Sequence, residues 1–367
     1  MAAVQVLLLA ISAVLAVGLL IVGVLYLYLR APALEADEVQ HDEIMRREPS
    51  PEVAECNRLI VESQENLRRL QPVQRIQQAR IAMDTGFRGR DIDYEQQGIE
   101  YREFAVGHLR GEWVLAENSD PDERLLYLHG GAFVAGSHLS HRPITATLAR
   151  VSGCAVLVVD YRLMPEHKRL SGISDAQLSY RWLLENGPEG AVEASRIFIA
   201  GDSAGGNLTL MLAAWCRDQQ LRPADAIIGI CPSTDSTLLN PSIRSNRATD
   251  LLLGSVLAAL VSIPKPVYLI SSWLVLRRRP NDPIVSPLLG DLRNLPPTLL
   301  QASQCEMLLD DSLRYASRAR QVGSDVTLQL WPGLPHVWHI FVPSLPEARE
   351  AMERIGEFIQ AARGRST

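Results

Sequence analysis

The residues with the clearest chemical potential form a Gly-x-Ser-x-Gly motif at positions 201–205, centred on Ser203. A short apolar run at 197–200, typical of a buried strand, precedes the motif, and an apolar helical pattern follows it. A serine on such a tight turn is exposed at the helix N-terminus, where the dipole and free amides favour negative charge. We therefore predict that Ser203 is a nucleophile and that the amide of Ala204 helps to bind an oxyanion.

A second motif, His-Gly-Gly-Ala-Phe at residues 129–133, also follows an apolar run. Two glycines allow backbone amides to approach a substrate carbonyl, as in the oxyanion loop of hydrolases. A plain Gly-Gly turn is the alternative, but both motifs occur together in the order that a hydrolase requires. We expect the oxyanion to be held by the amides of Gly130, Gly131 and Ala204.

A serine nucleophile needs a histidine, and only His336 and His339 follow Ser203 in the sequence. His336 comes shortly after a predicted strand, through a Pro-Gly turn, so it is predicted to be the general base. His339 is predicted to be structural.

Three carboxylates follow the next strand upstream: Glu306, Asp310 and Asp311. The acid that orients a histidine belongs on the loop directly after its strand, which favours Glu306. The two aspartates open the next helix, where carboxylates commonly complement the dipole.

The elements that position these residues alternate along the chain from about residue 98. Apolar runs predict strands at 125–128, 155–159, 197–200, 226–230, 297–300 and 326–330. Helical patterns lie between them, at 144–151, 176–184, 204–215, 309–319 and 346–359. Such alternation predicts an α/β domain whose largely parallel sheet is covered by helices on both faces.

Together these motifs resemble the hormone-sensitive-lipase-like family of α/β-hydrolases, which groups bacterial carboxylesterases with arylacetamide deacetylase. The resemblance spans about residues 98–367 and depends on residues 129–133, 160–167, 201–206, 282–288 and 336–339. It implies an α/β-hydrolase fold with a mostly parallel central sheet and a helical cap, the cap comprising about residues 32–95 and 234–281. The chain departs from the family at Ala132, where the family has a third glycine, and at Glu306, where it usually has aspartate.

The resulting prediction is a serine carboxylesterase or lipase that acts on short- to medium-chain acyl esters through Ser203, His336 and Glu306. No metal or organic cofactor is expected. Amide deacetylation by the same site is an alternative, and a non-catalytic ligand-binding receptor on the same fold is another. Four charged residues near the motifs are interpreted as scaffold that holds backbone in place: Asp160, Arg162, Glu166 and Asp202.

The N-terminal segment at residues 4–29 is almost entirely apolar. As a helix it would be roughly 39 Å long, which exceeds a hydrocarbon core of about 30 Å. We predict a transmembrane anchor at residues 1–31, cap helices at 32–95 and a catalytic domain at 96–367. A cleaved signal peptide is the alternative, disfavoured by the length of the run and by the absence of a preceding Lys or Arg. Basic residues after the run favour a cytoplasmic catalytic domain.

The composition of the chain limits the classes of partner that it could bind. The chain has 367 residues, with 36 Lys and Arg against 42 Asp and Glu, which argues against nucleic-acid binding. Five scattered cysteines suggest neither a disulfide framework nor a zinc site.

The apolar segment at 251–276 has halves too short to span a bilayer. It is interpreted as the cover of a pocket, with docking on a membrane surface as the alternative, and it suggests lipid-derived esters and membrane lipid as partners.

Overall fold

A computed structural model describes residues 2–32, 43–44, 48–86 and 94–364 of the chain. Its strands form one nine-stranded sheet in the order β1-β9-β8-β7-β6-β4-β5-β3-β2. The strands are β1 (Glu43–Ile44), β2 (Ile99–Val106), β3 (Leu109–Ala116), β4 (Asp120–Leu128), β5 (Cys154–Val159), β6 (Arg196–Asp202), β7 (Ala226–Ile230), β8 (Thr298–Ser303) and β9 (Val326–Trp331).

The sheet is mostly parallel, as predicted. Strands β4 to β9 pair in parallel, with Leu125 opposite Phe198 and Ile199 opposite Ile227. Only β2 and β3 add antiparallel pairs at one edge. The antiparallel pair had no separate prediction, because its strands mix polar and apolar residues instead of forming short apolar runs.

The helices comprise two layers that cover the faces of the sheet, and others outside these layers. Those longer than one turn are α1 (Ala2–Leu29), α2 (Glu52–Arg68), α3 (Pro72–Gly86), α4 (Arg142–Ser152), α5 (Arg169–Glu185), α6 (Ala204–Asp218), α9 (Ala258–Ser262), α10 (Lys265–Leu276), α11 (Leu309–Gln321) and α12 (Pro346–Arg363). The one-turn helices are α7 (Ser242–Ser245) and α8 (Leu253–Val256).

Burial on both faces explains the apolar strands. Every residue of β5 and of β7 is buried, since helices cover the sheet on each side. One core cluster joins the sheet to α5, α6 and α11, and a second joins it to α4 and α12. The carboxyl ends of β6, β8 and β9 meet at the same edge, so the loops that follow them are neighbours.

The predicted transmembrane anchor is contradicted. Within the described residues, no helix combines the length and the apolar character that crossing a membrane requires. The predictions of an anchor at residues 1–31 and of a single-pass membrane location were therefore wrong, and the predicted cytoplasmic side of the catalytic domain, which depended on that anchor, stays untested.

Helices α2, α3 and α7 to α10 lie in the two segments that were predicted to form the cap. Parts of the first segment, at 33–42, 45–47 and 87–93, lie outside the described residues. Arg80 of α3 donates hydrogen bonds to the carbonyl oxygens of Val134 and Met164, at 2.7 and 3.0 Å, and to the carboxylate of Glu166. This arginine therefore ties α3 to the loop that follows β4.

Candidate active site

Ser203 lies on the turn between β6 and α6, at the N-cap of the helix. Its backbone has φ 52° and ψ −114°, a conformation that side chains rarely adopt. The amide of Ser203 donates to the carbonyl of Ile230 at 2.8 Å, which fixes the turn against β7. A Cβ at position 205 would lie 1.8 Å from the carbonyl oxygen of Leu128, so glycine is required there. The close approach of strand and helix leaves the Ser203 hydroxyl at the edge of a cavity.

The three side chains predicted to act together are adjacent. Oγ of Ser203 lies 2.9 Å from Nε2 of His336, and Nδ1 of His336 is hydrogen-bonded to Oε2 of Glu306. The other oxygen of Glu306 accepts the amide of Ser303 at 2.9 Å. Glu306 is fully buried and His336 is 3% exposed. This chain of contacts orients the imidazole so that Nε2 faces the hydroxyl.

The charges around His336 favour its protonated form. Burial alone lowers the pKa of His336, but the hydrogen bond and charge of Glu306 and the charges of Asp250 and Asp202 outweigh that effect. The pKa of His336 is therefore raised above its ordinary value. A base with a raised pKa accepts the serine proton more readily, and its imidazolium is stabilised by the same carboxylates.

The loop after β4 brings backbone amides to the cavity. The amide of Gly130 donates to Oδ1 of Asp202 at 2.8 Å, a bond that competes with its predicted role as an oxyanion donor. Within the described residues, the amides of Gly131 and Ala132 have no hydrogen-bond acceptor, and both residues line the cavity. Ala204 is the first residue of α6, where an amide has no acceptor within the helix.

Asp202 connects the two glycine motifs. Its carboxylate accepts the hydroxyl of Tyr127 at 2.7 Å and the amide of Gly130, and it lies 3.3 Å from Nε2 of His141. Burial acts to raise the pKa of Asp202, but His141 and these hydrogen bonds lower it to about 2. The residue is thus a buried anion that holds the oxyanion loop against the serine turn, in keeping with its interpretation as scaffold.

The other predicted scaffold charges are also paired. Asp160 accepts the amide and Nδ1 of His138, at 2.7 and 2.6 Å. Arg162 donates to the buried carboxylate of Asp175 at 2.8 Å. Each pair fixes a loop next to the site without reaching Ser203.

The rejected candidates have other partners. Asp311 accepts the amides of Thr234 and Asp235, at 2.6 and 3.0 Å, and Asp310 accepts the amide of Ser242 at 2.7 Å. His339 is fully buried, and its Nε2 is hydrogen-bonded to Gln301. Burial lowers the pKa of His339 to about 3, so it stays neutral.

One group of side chains within the described residues has the composition of a metal site. The ligand atoms of Cys231, Glu306 and His336 all lie within 4.8 Å of one another. Burial and the charge of Glu306 raise the pKa of the Cys231 thiol well above its ordinary value, which disfavours the thiolate that a metal needs. Sγ of Cys231 instead accepts the amide of Val337 at 3.4 Å. We interpret the thiol as packing behind the His336 loop.

An apolar cavity of about 200 Å³ opens above Ser203. Its lining comes from the loops around the serine and from α2, α3, the α8 segment and the chain after β9. Apart from the serine turn, the histidine and the oxyanion loop, the lining includes Ile60, Ser63, Gln64, Leu67, Ala79, Ala82, Met83, Leu252, Leu253, Val256, Val337, Ile340 and Phe341. The first half of the 251–276 segment therefore covers a pocket, as the sequence indicated.

Comparison with known proteins defines the class. A family model described as the alpha/beta hydrolase fold matches residues 125–340. An acetyl-hydrolase from Streptomyces hygroscopicus is 36% identical over 71% of this chain and 82% of its own length. An esterase from Acinetobacter venetianus gives the same identity and coverage.

A solved structure gives the same assignment. The crystal structure of an esterase from the bacterial hormone-sensitive lipase family superposes with a TM-score of 0.73 at 33% identity, covering 87% of this chain and 100% of that one. The chain belongs to the hormone-sensitive-lipase-like family of α/β-hydrolases.

Sequence reasoning missed two kinds of residue. It did not single out the Ala132 amide, which belongs to the cavity lining, because the competing bond between Gly130 and Asp202 depends on how β4 pairs with β6. It also missed Asp250, a buried carboxylate of the cap segment near His336. A lone aspartate in an apolar segment was the available signal in the sequence.

Proposed function

We propose that Ser203, His336 and Glu306 are the catalytic triad through which this chain hydrolyses esters. The chain is a carboxylic ester hydrolase, in agreement with the family and with relatives named esterase and acetyl-hydrolase. The observation that carries the proposal is the 2.9 Å contact between Oγ of Ser203 and Nε2 of His336, with Glu306 bonded to the far side of the ring.

In the proposed reaction Ser203 Oγ attacks the ester carbonyl while Nε2 of His336 takes its proton. The carboxylate of Glu306 accepts a hydrogen bond from the Nδ1–H of His336 and stabilises the imidazolium. The negative carbonyl oxygen is bound by the amides of Gly131, Ala132 and Ala204. His336 then gives its proton to the leaving alcohol, and a water molecule, activated by the same imidazole, releases the acid from the acyl-enzyme.

The acyl chain of the substrate occupies the cavity beneath α2, α3 and α8. Its apolar lining supports short- to medium-chain acyl groups, because hydrocarbon is transferred favourably from water into such a lining. Esters derived from lipids stay a prediction based on the apolar 251–276 segment. A series of p-nitrophenyl esters tests the preference for acyl-chain length. We expect the highest kcat/KM with butyrate or hexanoate. A peak at acetate, with activity collapsing by octanoate, would contradict this preference.

Covalent labelling tests the nucleophile directly. A fluorophosphonate probe should label the wild-type chain and fail to label Ser203→Ala. Ser171→Ala, on α5 and outside the cavity lining, is the matched control and should label normally. Labelling that persists in Ser203→Ala would refute the assignment.

A further inference from the structure

The segment before α8 wraps around the loop that carries Glu306. Nδ2 of Asn246 donates to the carbonyl oxygens of Gln304 and Glu306, both at 2.9 Å. The hydroxyl of Thr249 donates to the carbonyl of Cys305 at 2.9 Å. Three consecutive residues of the acid loop are thus held by a segment that is more than fifty positions away in sequence.

Asp250 completes this contact and extends it to the cavity. Its Oδ2 accepts the amide of Met307, directly after Glu306, at 2.8 Å. Its Oδ1 accepts the amides of Leu252 and Leu253, at 3.1 and 2.8 Å, and so holds the backbone where α8 begins. Both leucines line the cavity. The side chain is 2% exposed, so its two oxygens bond protein groups instead of bulk water.

We propose that Asp250 is a positioning residue that couples the wall of the acyl cavity to the catalytic acid, one carboxylate oxygen holding α8 and the other holding the backbone next to Glu306. The inference rests on the proposed function of the triad. It adds that acyl-chain selectivity and the ionisation of His336 depend on one side chain that touches neither the substrate nor the reacting atoms.

The charge of Asp250 also acts on the catalytic histidine. The groups that face His336 are Glu306 after β8, Asp202 at the end of β6, Asp250 from the cap segment, the neutral His339 and the protonated thiol of Cys231. Among the carboxylates, Asp250 alone comes from the cap segment. Its negative charge favours the imidazolium that forms when Ser203 is deprotonated.

Asp250→Asn is nearly isosteric, so it tests the hydrogen bonds and the charge of Asp250 without a loss of packing. The amide side chain has one acceptor oxygen and one NH2 group that only donates, so it satisfies either the α8 amides or the Met307 amide, but not both. It also removes the charge. We expect kcat/KM to fall about tenfold and the acid limb of its pH profile to move down by roughly 0.5 pH units. The preference for hexanoate over acetate esters should decrease.

Asp250→Glu keeps the charge but displaces the carboxylate. It should restore the acid limb to its wild-type position while the chain-length preference remains altered. Asp310→Asn is the matched control: Asp310 is a partly exposed carboxylate that also accepts a cap amide, and its change should move neither readout.

Two results would overturn the inference. One is Asp250→Asn with an unchanged acid limb and unchanged chain-length preference, or with an equal loss on all esters and no pH shift. The other, decisive if the Asn variant does not fold, is Asp250→Glu with wild-type selectivity. Fluorophosphonate labelling of the wild type and of each variant distinguishes a failure of the Asp250 inference from a failure of the triad. A wild-type chain that is neither labelled nor active would refute the proposed function instead.

Discussion

The side chains of Ser203, Glu306 and His336 are held in a different way from the roof of the cavity, which is formed by α2, α3 and α8. Ser203, Glu306 and His336 follow strands of the sheet, and backbone hydrogen bonds to Ile230 and Ser303 fix the first two. The roof is made of helices joined to the body by a few side chains. Arg80 bonds the loop after β4 and Asp84 accepts the hydroxyl of Ser137 at 2.6 Å, whereas Arg68 of α2 donates to Ser255 of α8 at 3.0 Å and so joins two helices of the roof.

Apart from the link proposed for Asp250, this difference indicates that chemistry and selectivity are separable in the molecule. Changes at the strand ends should alter the rate for every ester, because the geometry of the reacting atoms is common to all substrates. Changes in the roof should alter the ranking of esters instead. The experiments that follow test that separation, beginning with the largest effect.

Ser203→Ala removes the nucleophile and should lower kcat for all esters by at least about 10⁴-fold, without a change in Tm. Steady-state kinetics with acetate and hexanoate esters, together with thermal melting, measures it. A loss confined to one ester would contradict the separation.

Glu306→Gln keeps the shape of the acid but removes its charge and disturbs the tautomer of His336. We expect kcat to fall about 10³-fold on every ester tested. Glu306→Asp, which retains the charge, is the control and should recover part of the activity. Equal activity of the Gln variant and the wild type would exclude Glu306 as the acid.

Met83→Trp fills the cavity from α3 without touching the triad. The ratio of kcat/KM for hexanoate over acetate should fall about tenfold, since the longer chain loses its space. Ile81→Trp, on the exposed side of the same helix, serves as the control and should leave the ratio unchanged. An equal loss with acetate would show that the roof also controls the chemistry.

The smallest effect is on pH dependence. His336 must be neutral to act as a base, and its raised pKa means that activity is lost as pH falls through a value above its ordinary pKa of 6.5. The acid limb of kcat/KM should therefore have its midpoint above about 6.5. A midpoint well below this value would show that the carboxylates do not stabilise the imidazolium.

The same difference between the strand ends and the roof explains how much of the fold and of the candidate site was predictable from the sequence. The serine turn, the central strands and the preference for Glu306 over Asp310 depend on short stretches of chain, so local patterns were sufficient. The hydrogen bond from the Gly130 amide to Asp202 was not predicted, because it joins the ends of neighbouring strands whose pairing is set by the whole sheet.

The roof was less accessible to sequence reasoning. Its helical patterns were visible, but neither the cavity wall nor the hydrogen bonds of Asp250 could be predicted, since they join segments far apart in the chain. The anchor at residues 1–31 was wrong because apolarity alone was taken as evidence of a membrane span.

The buried carboxylate of Asp202 has a consequence for anyone who would transplant this chemistry. It precedes the nucleophile directly, yet most of its partners, Tyr127, Gly130 and His141, belong to the other glycine motif and its surroundings. Grafting the serine turn alone onto another scaffold would strand an anion in an apolar interior, at a cost of several kcal/mol. The smallest transferable module is therefore both motifs with the tyrosine and histidine that contact the aspartate.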